Sequence, residues 1–443
     1  MKVSITNKQI IKLTAPISLA LLIPQLNYFT NTVFLGRLGE RELGVNGIAG
    51  VFYLILAMVG YGLNNGIQIQ MARRVGEDNK EGLAETLTNG VMLAILFALG
   101  LMILSLWTVP VIFGFGLSDN ENFLLSVNFI YIRVWGLPFL MLTQLANAFY
   151  ISISRSKFLI YGSLVATVVN IFFDYALIFG KFGFPAWGLM GAAVASVISE
   201  FSSCVVVWGI FYFKRFHHVY PVLRHLQFNL KLSKRTLKVS VPLIFQFIFS
   251  IGGWLIFFLF IEHLGKRSLA ASQMLRNVFG IVGIGVWAFA TTCNTMVSRI
   301  IGQGRQREVI GLIIKISMLS LLYGLVSSSL LLLFSREFLF VYSNNADLVV
   351  FAIPSLRVIA LATIIMSVST VAFNGVVGTG NTFINLTMEI GSVCIYLVYC
   401  YFVIQLWRSP LYLCWGSEFI YWLCLLTGSI IYLKSGRWKG KKI

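Results

Sequence analysis

The chain has 443 residues, of which 58% are hydrophobic and 11% charged, with a formal net charge of +18. Ordinary soluble domains are about a quarter charged, and no soluble fold hides this much apolar surface, so the composition excludes a water-soluble globular protein. A nucleic-acid binder is excluded as well, because the basic residues form no aromatic-interleaved groove.

A membrane-spanning helix needs roughly 20 mostly apolar residues. Stretches of that kind predict twelve helices, over 10–35, 44–71, 86–113, 123–150, 158–180, 187–213, 237–262, 269–298, 309–334, 347–374, 382–405 and 411–433. The fold class expected is therefore all-α integral membrane. Most connections are too short to hold a soluble catalytic domain, which places function within the helices. The first stretch is too long for a signal-peptide core and lacks a small-residue cleavage site, so it reads as helix 1 of the mature protein.

In chain order, the first membrane-embedded ionisable group of note is Arg133 in helix 4. Helix 5 then carries Asn170 and Asp174, four residues apart and so on one helical face. An ionisable group in hydrocarbon costs at least about 2.5–3.5 kcal/mol on insertion scales, which makes each a functional candidate. Asp174 either binds a coupling cation or is held by hydrogen bonds that lock neighbouring helices. Glu200, Glu262 and Glu418 lie less centrally along their helices.

The segment 214–236 contains His217, His218 and His225 among basic residues and reads as a cytoplasmic linker between two lobes, 1–213 and 237–443. Without cysteines or carboxylates at ligand spacing the histidines make no metal site. The six cysteines have no C-x-x-C spacing and read as small buried hydrophobes. In helix 7, Trp254 is a candidate for lining an adaptable apolar cavity, as is Trp287 in helix 8. Gln273, Arg276 and Asn277 share one face of helix 8 and can bind a polar part of a substrate. Arg276 lies about 12 Å along the helix from Ser268, deep enough to reach substrate unless it snorkels to the interface.

Helix 11 carries Asn385, Glu389, Ser392, Tyr396 and Tyr399 at steps of four, three, four and three, one polar stripe on an otherwise apolar helix. Such a stripe faces protein or a water-filled cavity, not lipid. Glu389 can there load and unload a proton, or serve packing through a neighbouring tyrosine or arginine. Tyr396 on the same stripe is a candidate substrate contact.

The chain repeats itself. Pro16 pairs with Pro242, Phe34 with Phe260, Leu38-Gly39 with Leu264-Gly265, Arg41 with Arg267 and Arg73 with Arg299 at one constant offset. Arg133 pairs with Arg357 after a small shift, a placement that favours a shared structural role. Six helices per unit bring the second unit into the membrane from the same side as the first, which makes the repeat parallel. Most of the 34 basic residues then fall on the side of both termini, including Lys2, Arg73, Arg74, Arg155, Lys157, Lys214, Arg215, Arg299, Arg305, Lys441 and Lys442. That bias predicts cytoplasmic termini in the plasma (inner) membrane.

Four places carry a family resemblance: Thr30-Asn31-Thr32-Val33-Phe34-Leu35-Gly36-Arg37-Leu38-Gly39, Arg73-Arg74-Val75-Gly76, Ser298-Arg299-Ile300-Ile301-Gly302-Gln303-Gly304 and Asn170-Ile171-Phe172-Phe173-Asp174. Together they resemble prokaryotic multidrug and toxic compound extrusion (MATE) transporters, nearer the DinF-like branch. The resemblance implies two six-helix lobes around a cavity and export of amphipathic compounds in exchange for sodium ions or protons. It also implies that Asn31 of helix 1 and Ser196 of helix 6 lie beside Asn170 and Asp174, where their oxygens would suit a sodium ion. Three departures matter: Asn31 stands where many prokaryotic members have aspartate, Ser250 where others have glutamate, and Met366 where others have aspartate.

The function expected is a cation-coupled antiporter for small, possibly cationic, amphipathic compounds. It would have no cofactor beyond Na+ or H+, no metal beyond sodium at Asp174, and no nucleic-acid partner, and it would work as a monomer in the bilayer. The alternative is a flippase for a lipid-linked saccharide or other envelope lipid, which needs a more cationic cavity than Arg133, Arg276 and Arg357 supply. An intramembrane enzyme would need a convergent catalytic set, and the sequence contains none.

Overall fold

The computed structural model describes residues 5–117, 119–225 and 227–440; Lys2, Lys441 and Lys442, counted above toward the charge bias, lie outside them. Among the described residues, twelve helices are long and apolar enough to cross a membrane. They are α1 (Asn7–Leu38), α2 (Glu40–Gly76), α3 (Lys80–Gly116), α4 (Asn120–Ser152), α5 (Lys157–Phe179), α6 (Leu189–Phe213), α7 (Leu230–Glu262), α8 (Lys266–Gly302), α9 (Gln306–Leu333), α10 (Ala346–Gly378), α11 (Thr382–Leu406) and α12 (Leu411–Ser435). They follow the expected twelve in order. Several run a turn or more beyond the apolar stretch, because backbone hydrogen bonding continues where apolar side chains end.

Local chemistry sets the ends. Asn79 caps α3 by accepting from Gly82 N at 2.7 Å, and Asn345 caps α10 by accepting from Asp347 N and Leu348 N. Each satisfies amide groups that have no partner inside the helix. Gly180 and Gly436, at φ +66° and +68°, stop α5 and α12 in the left-handed conformation that glycine adopts without strain. Helix α4 is interrupted by a 3-10 turn at Val134–Gly136, with Pro138 following in the next helical turn. Helix α11 ends in a π-helical turn, Tyr401–Leu406.

The largest boundary difference falls on the linker. The expected 214–236 segment contains a short helix, Phe216–Val219, and a 3-10 turn, Val222–His225, but α7 already begins at Leu230. Its first turns are amphipathic: Lys231, Lys234, Arg235 and Lys238 are exposed while Leu232, Ser233, Thr236 and Ser240 are buried. A polar helical face this basic is invisible to a search for apolar runs.

Compactness divides the chain into Leu19–Ile244 and a second unit made from the chain before and after it. The first half of α7 therefore falls in one unit with α2 to α6 and all but the first turns of α1. Thr236 donates to Gln70 Oε1 at 3.0 Å, Ser240 to the Leu63 carbonyl at 3.0 Å, and Asn89 Nδ2 to Ser233 Oγ at 3.0 Å. The first turns of α1 belong correspondingly to the other unit, where Thr14 and Thr292 hydroxyls meet at 2.9 Å and Lys315 donates to the Ile5 carbonyl at 2.8 Å. Each repeat thus lends the start of its first helix to the opposite unit, which differs from lobes cut at 213 and 237. The unit Leu19–Ile244 has an apolar core around Leu35, Ala49, Ile130, Leu137 and Ala193. The other has one around Phe257, Leu275, Leu356, Cys400 and Trp415.

Candidate functional site

In the unit Leu19–Ile244, hydrogen bonds set the register of α1 on α5. Ser163 donates to the Ala20 carbonyl at 2.9 Å and Thr167 to the Ile23 carbonyl at 3.5 Å, while Phe34 meets Phe179 edge-on with ring centroids 5.7 Å apart. The turns between these contacts set Asn27 and Asn31 at the level of Asn170 and Asp174. Helix α6 runs antiparallel beside α5, with Ser199 donating to the Ala166 carbonyl at 2.7 Å and Ser203 to the Gly162 carbonyl at 3.1 Å. One turn earlier on α6, Ser196 comes to the level of Asn170 and donates to its own helix at the Ala192 carbonyl.

Asp174 is fully buried and Asn170 is 1% exposed. Both Asp174 carboxylate oxygens, both Asn170 amide atoms and the Oδ1 atoms of Asn27 and Asn31 are buried without a hydrogen-bond partner among the described residues. Such groups are rarely left unsatisfied. Asn31, Asn170, Asp174 and Ser196 were sequence candidates and Asn27 was not. Its signal was present, since Asn27 precedes Asn31 by one helical turn.

Beside this cluster stands a second one that sequence reasoning did not assemble. Glu200 is set on α6 one turn after Ser196, and Tyr53 of α2 donates its hydroxyl to the Glu200 carboxylate at 2.9 Å. Arg133 Nη2 donates to Glu200 Oε1 at 3.0 Å, and the guanidinium lies 3.8 Å above the Tyr53 ring. Of the three carboxylates expected to lie less centrally along their helices, Glu418 is buried, Glu200 is partly buried and Glu262 is exposed. Position along a helix measures depth, whereas enclosure depends on which neighbour covers the face. The shared role expected of Arg133 and Arg357 is also not found. Arg357 is exposed and has no hydrogen bond or ion pair among the described residues.

In the other unit, Glu389 is 1% exposed and accepts from the Tyr421 hydroxyl at 2.7 Å, with Ser250 Oγ 3.5 Å from that hydroxyl. Asn385, Ser392 and Tyr396 are buried on the same face of α11, so the stripe faces protein. Asn385 donates to the Phe373 carbonyl at 3.0 Å, and the Tyr396 hydroxyl is buried without a partner. The Tyr396 and Tyr421 rings lie 5.9 Å apart. Glu418 accepts from the Trp422 indole at 2.9 Å.

On α8, Gln273 is exposed, Arg276 and Asn277 are half-buried, and none of the three hydrogen-bonds within the described residues. Arg276 lies 5.4 Å over the Phe258 ring. Trp254 stacks on Phe279 at 5.9 Å and meets Trp415 edge-on, while Trp415 donates its indole N–H to Ser272 at 3.1 Å. Gln273, Arg276 and Asn277 thus keep free polar groups, whereas Trp254 is partly engaged in an aromatic stack.

A protein-family model described as MatE matches the chain twice, over residues 16–176 and 242–402, at the offset the repeat already has. The probable multidrug resistance protein NorM of Thermotoga maritima is 22% identical over 98% of this chain and 94% of its own. The probable multidrug resistance protein YoeA of Bacillus subtilis is 29% identical over 56% of this chain and 57% of its own. Among solved structures, a MATE in complex with MaD3S superposes with a TM-score of 0.89 at 15% identity, covering 97% of this chain and 96% of that one. An outward-facing multidrug resistance MATE transporter of the MOP superfamily gives 0.86 at 17% identity, covering 97% and 95%. Two family matches that fill both halves of a twelve-helix repeat leave one assignment: the chain is a multi-pass membrane protein belonging to the MatE family of multidrug and toxic compound extrusion transporters.

Proposed function

We propose that the protein is a cation-coupled antiporter that exports small amphipathic, possibly cationic, compounds by alternating access, with Asp174 and Glu389 as the groups that exchange the coupling ion. The observation that carries this reading is the Asp174 carboxylate, enclosed on a spanning helix with neither oxygen hydrogen-bonded among the described residues. A charge held in hydrocarbon without a partner is costly. A proton or a sodium ion removes that penalty, and its loss restores it. Asn27, Asn31, Asn170 and Ser196 supply neutral oxygens, and with one carboxylate they form a donor set suited to a small hard cation.

Glu389 is the counterpart in the other unit, bound to a tyrosine hydroxyl that can follow a change of its charge. Gln273, Arg276, Asn277, Tyr396 and Trp254 are the proposed substrate contacts, through free polar groups and aromatic faces. The exposed basic residues at the start of α7 support cytoplasmic termini in the plasma membrane. The alternative of a lipid-linked saccharide flippase is weaker, because Arg133 is committed to Glu200 and Arg357 has no enclosed setting in which to bind pyrophosphate.

The test is reconstitution in vesicles with a fluorescent organic cation, under an imposed sodium gradient or an imposed pH gradient. Export driven by one of them identifies the ion. Export that responds to neither refutes coupled transport.

A further inference from the structure

We propose that Arg133 is a tethered counter-cation that exchanges with the coupling ion at Asp174, turning its free Nη1 toward that carboxylate when the ion leaves and back when the ion returns. The inference rests on the reading that Asp174 carries the ion.

Arg133 is built for two carboxylates and is hydrogen-bonded to one. Its Nη2 donates to Glu200, while Nη1 is buried and has no partner among the described residues. A guanidinium presents five N–H donors in a planar fork, so one arm can hold Glu200 while the other turns elsewhere. The carboxylates that act on it electrostatically are Glu200 and, more weakly, Asp174. Of these, Asp174 is the group whose two oxygens are buried and unpartnered. A buried donor and a buried acceptor, both unsatisfied and within electrostatic reach, are two halves of one interaction that this state of the protein does not make.

The backbone gives the arm a place from which to turn. Immediately after Arg133 the helix tightens into the 3-10 turn Val134–Gly136, a feature that often marks a hinge. Gly136 opens the seat of the anchoring carboxylate: a Cβ there would collide with Glu200 Oε2 and approach Tyr53 Oη at 3.3 Å. Tyr53 holds Glu200 from the other side through its hydroxyl and supports the guanidinium with its ring. Glu200 is therefore fixed, and Arg133 pivots on it.

Neither state leaves a carboxylate without a cation beside it. With the ion bound, Arg133 offsets Glu200 and the ion offsets Asp174. With the ion gone, one guanidinium bridges two carboxylates, and these three groups together carry a single negative charge without leaving either carboxylate unpartnered. Ion and guanidinium then compete for one carboxylate, so each weakens the other's hold by the same factor, typically about 5–150-fold for coupled sites. Arg133 speeds release at the expense of affinity.

The experiment measures, in reconstituted vesicles, the concentration of the driving ion that gives half-maximal export and the maximal rate. The charge-neutral pair Arg133→Gln with Glu200→Gln removes the competitor without stranding a charge. Half-saturation should fall roughly tenfold, and the maximal rate should fall with it as release slows. Glu200→Gln alone frees Arg133 entirely for Asp174, and half-saturation should rise. Unchanged or oppositely moved half-saturation in both variants overturns the proposal. Asp174→Asn is run in parallel. If it abolishes ion dependence while the Arg133 and Glu200 variants behave as wild type, only the role of Arg133 fails. If it keeps full ion dependence, the assignment of the ion to Asp174 fails.

Discussion

Tyr421 of α12 reaches across to α11 and donates its hydroxyl to Glu389 at 2.7 Å. That bond gives the carboxylate a donor on the neighbouring helix and makes the two residues separable by mutation. Glu389→Gln keeps the shape and removes the charge, so it should impair ion-coupled export while the protein stays monodisperse. Tyr421→Phe strands a buried acceptor, which costs about 1–3 kcal/mol and should lower the melting temperature. Wild-type coupling in Glu389→Gln would remove Glu389 from the mechanism.

Asp174→Asn separates function from stability in another way. Because the carboxylate has no hydrogen bond to lose, the substitution removes an uncompensated charge and should leave the melting temperature unchanged or raise it. Ion-coupled export should nonetheless be lost. A marked fall in melting temperature would mean that Asp174 locks its helices instead of binding an ion.

Arg133 and Glu200 should behave as a pair. Arg133→Leu leaves Glu200 enclosed with only Tyr53, and breaking a buried pair from one side costs about 3–5 kcal/mol. Adding Glu200→Leu should recover most of that loss. A double-mutant cycle read by denaturation of the purified protein measures the coupling. Additive effects would show that the ion pair contributes nothing.

Two glycines give opposite outcomes for the same change. A Cβ at Gly62 would stand 2.7 Å from the Ile244 backbone, which has no side-chain freedom with which to yield. Gly62→Ala should therefore destabilise by about 1–3 kcal/mol and loosen α7 from α2. Gly100 on α3 has open space where a Cβ would go, so Gly100→Ala should be neutral or stabilise by up to about 1 kcal/mol. Thermal melts of the two variants side by side check the contrast.

Hydropathy and repetition were readable at once. Twelve apolar stretches, the pairing of Pro16 with Pro242, and the polar stripe through Asn385, Glu389, Ser392 and Tyr396 follow from the order of residues alone. Asn170 and Asp174 share a face because helical periodicity is local. Asn27 could have been added by the same periodicity, one turn before Asn31. The amphipathic start of α7 escaped notice because its buried face is largely small and polar, with Ser233, Thr236 and Ser240 bonding to α2 and α3.

The linear sequence by itself determined that this is a twice-repeated bundle of spanning helices, because apolar length and helical period are properties of neighbouring residues. Only the tertiary structure decided that Arg133 has Glu200 while its repeat mate Arg357 has none, that Asp174 is enclosed yet unpartnered, and that each repeat gives the start of its first helix to the other unit. Those outcomes depend on which side chain of a distant helix arrives at the same depth and on the same face, and that register is set by packing between segments far apart in the chain.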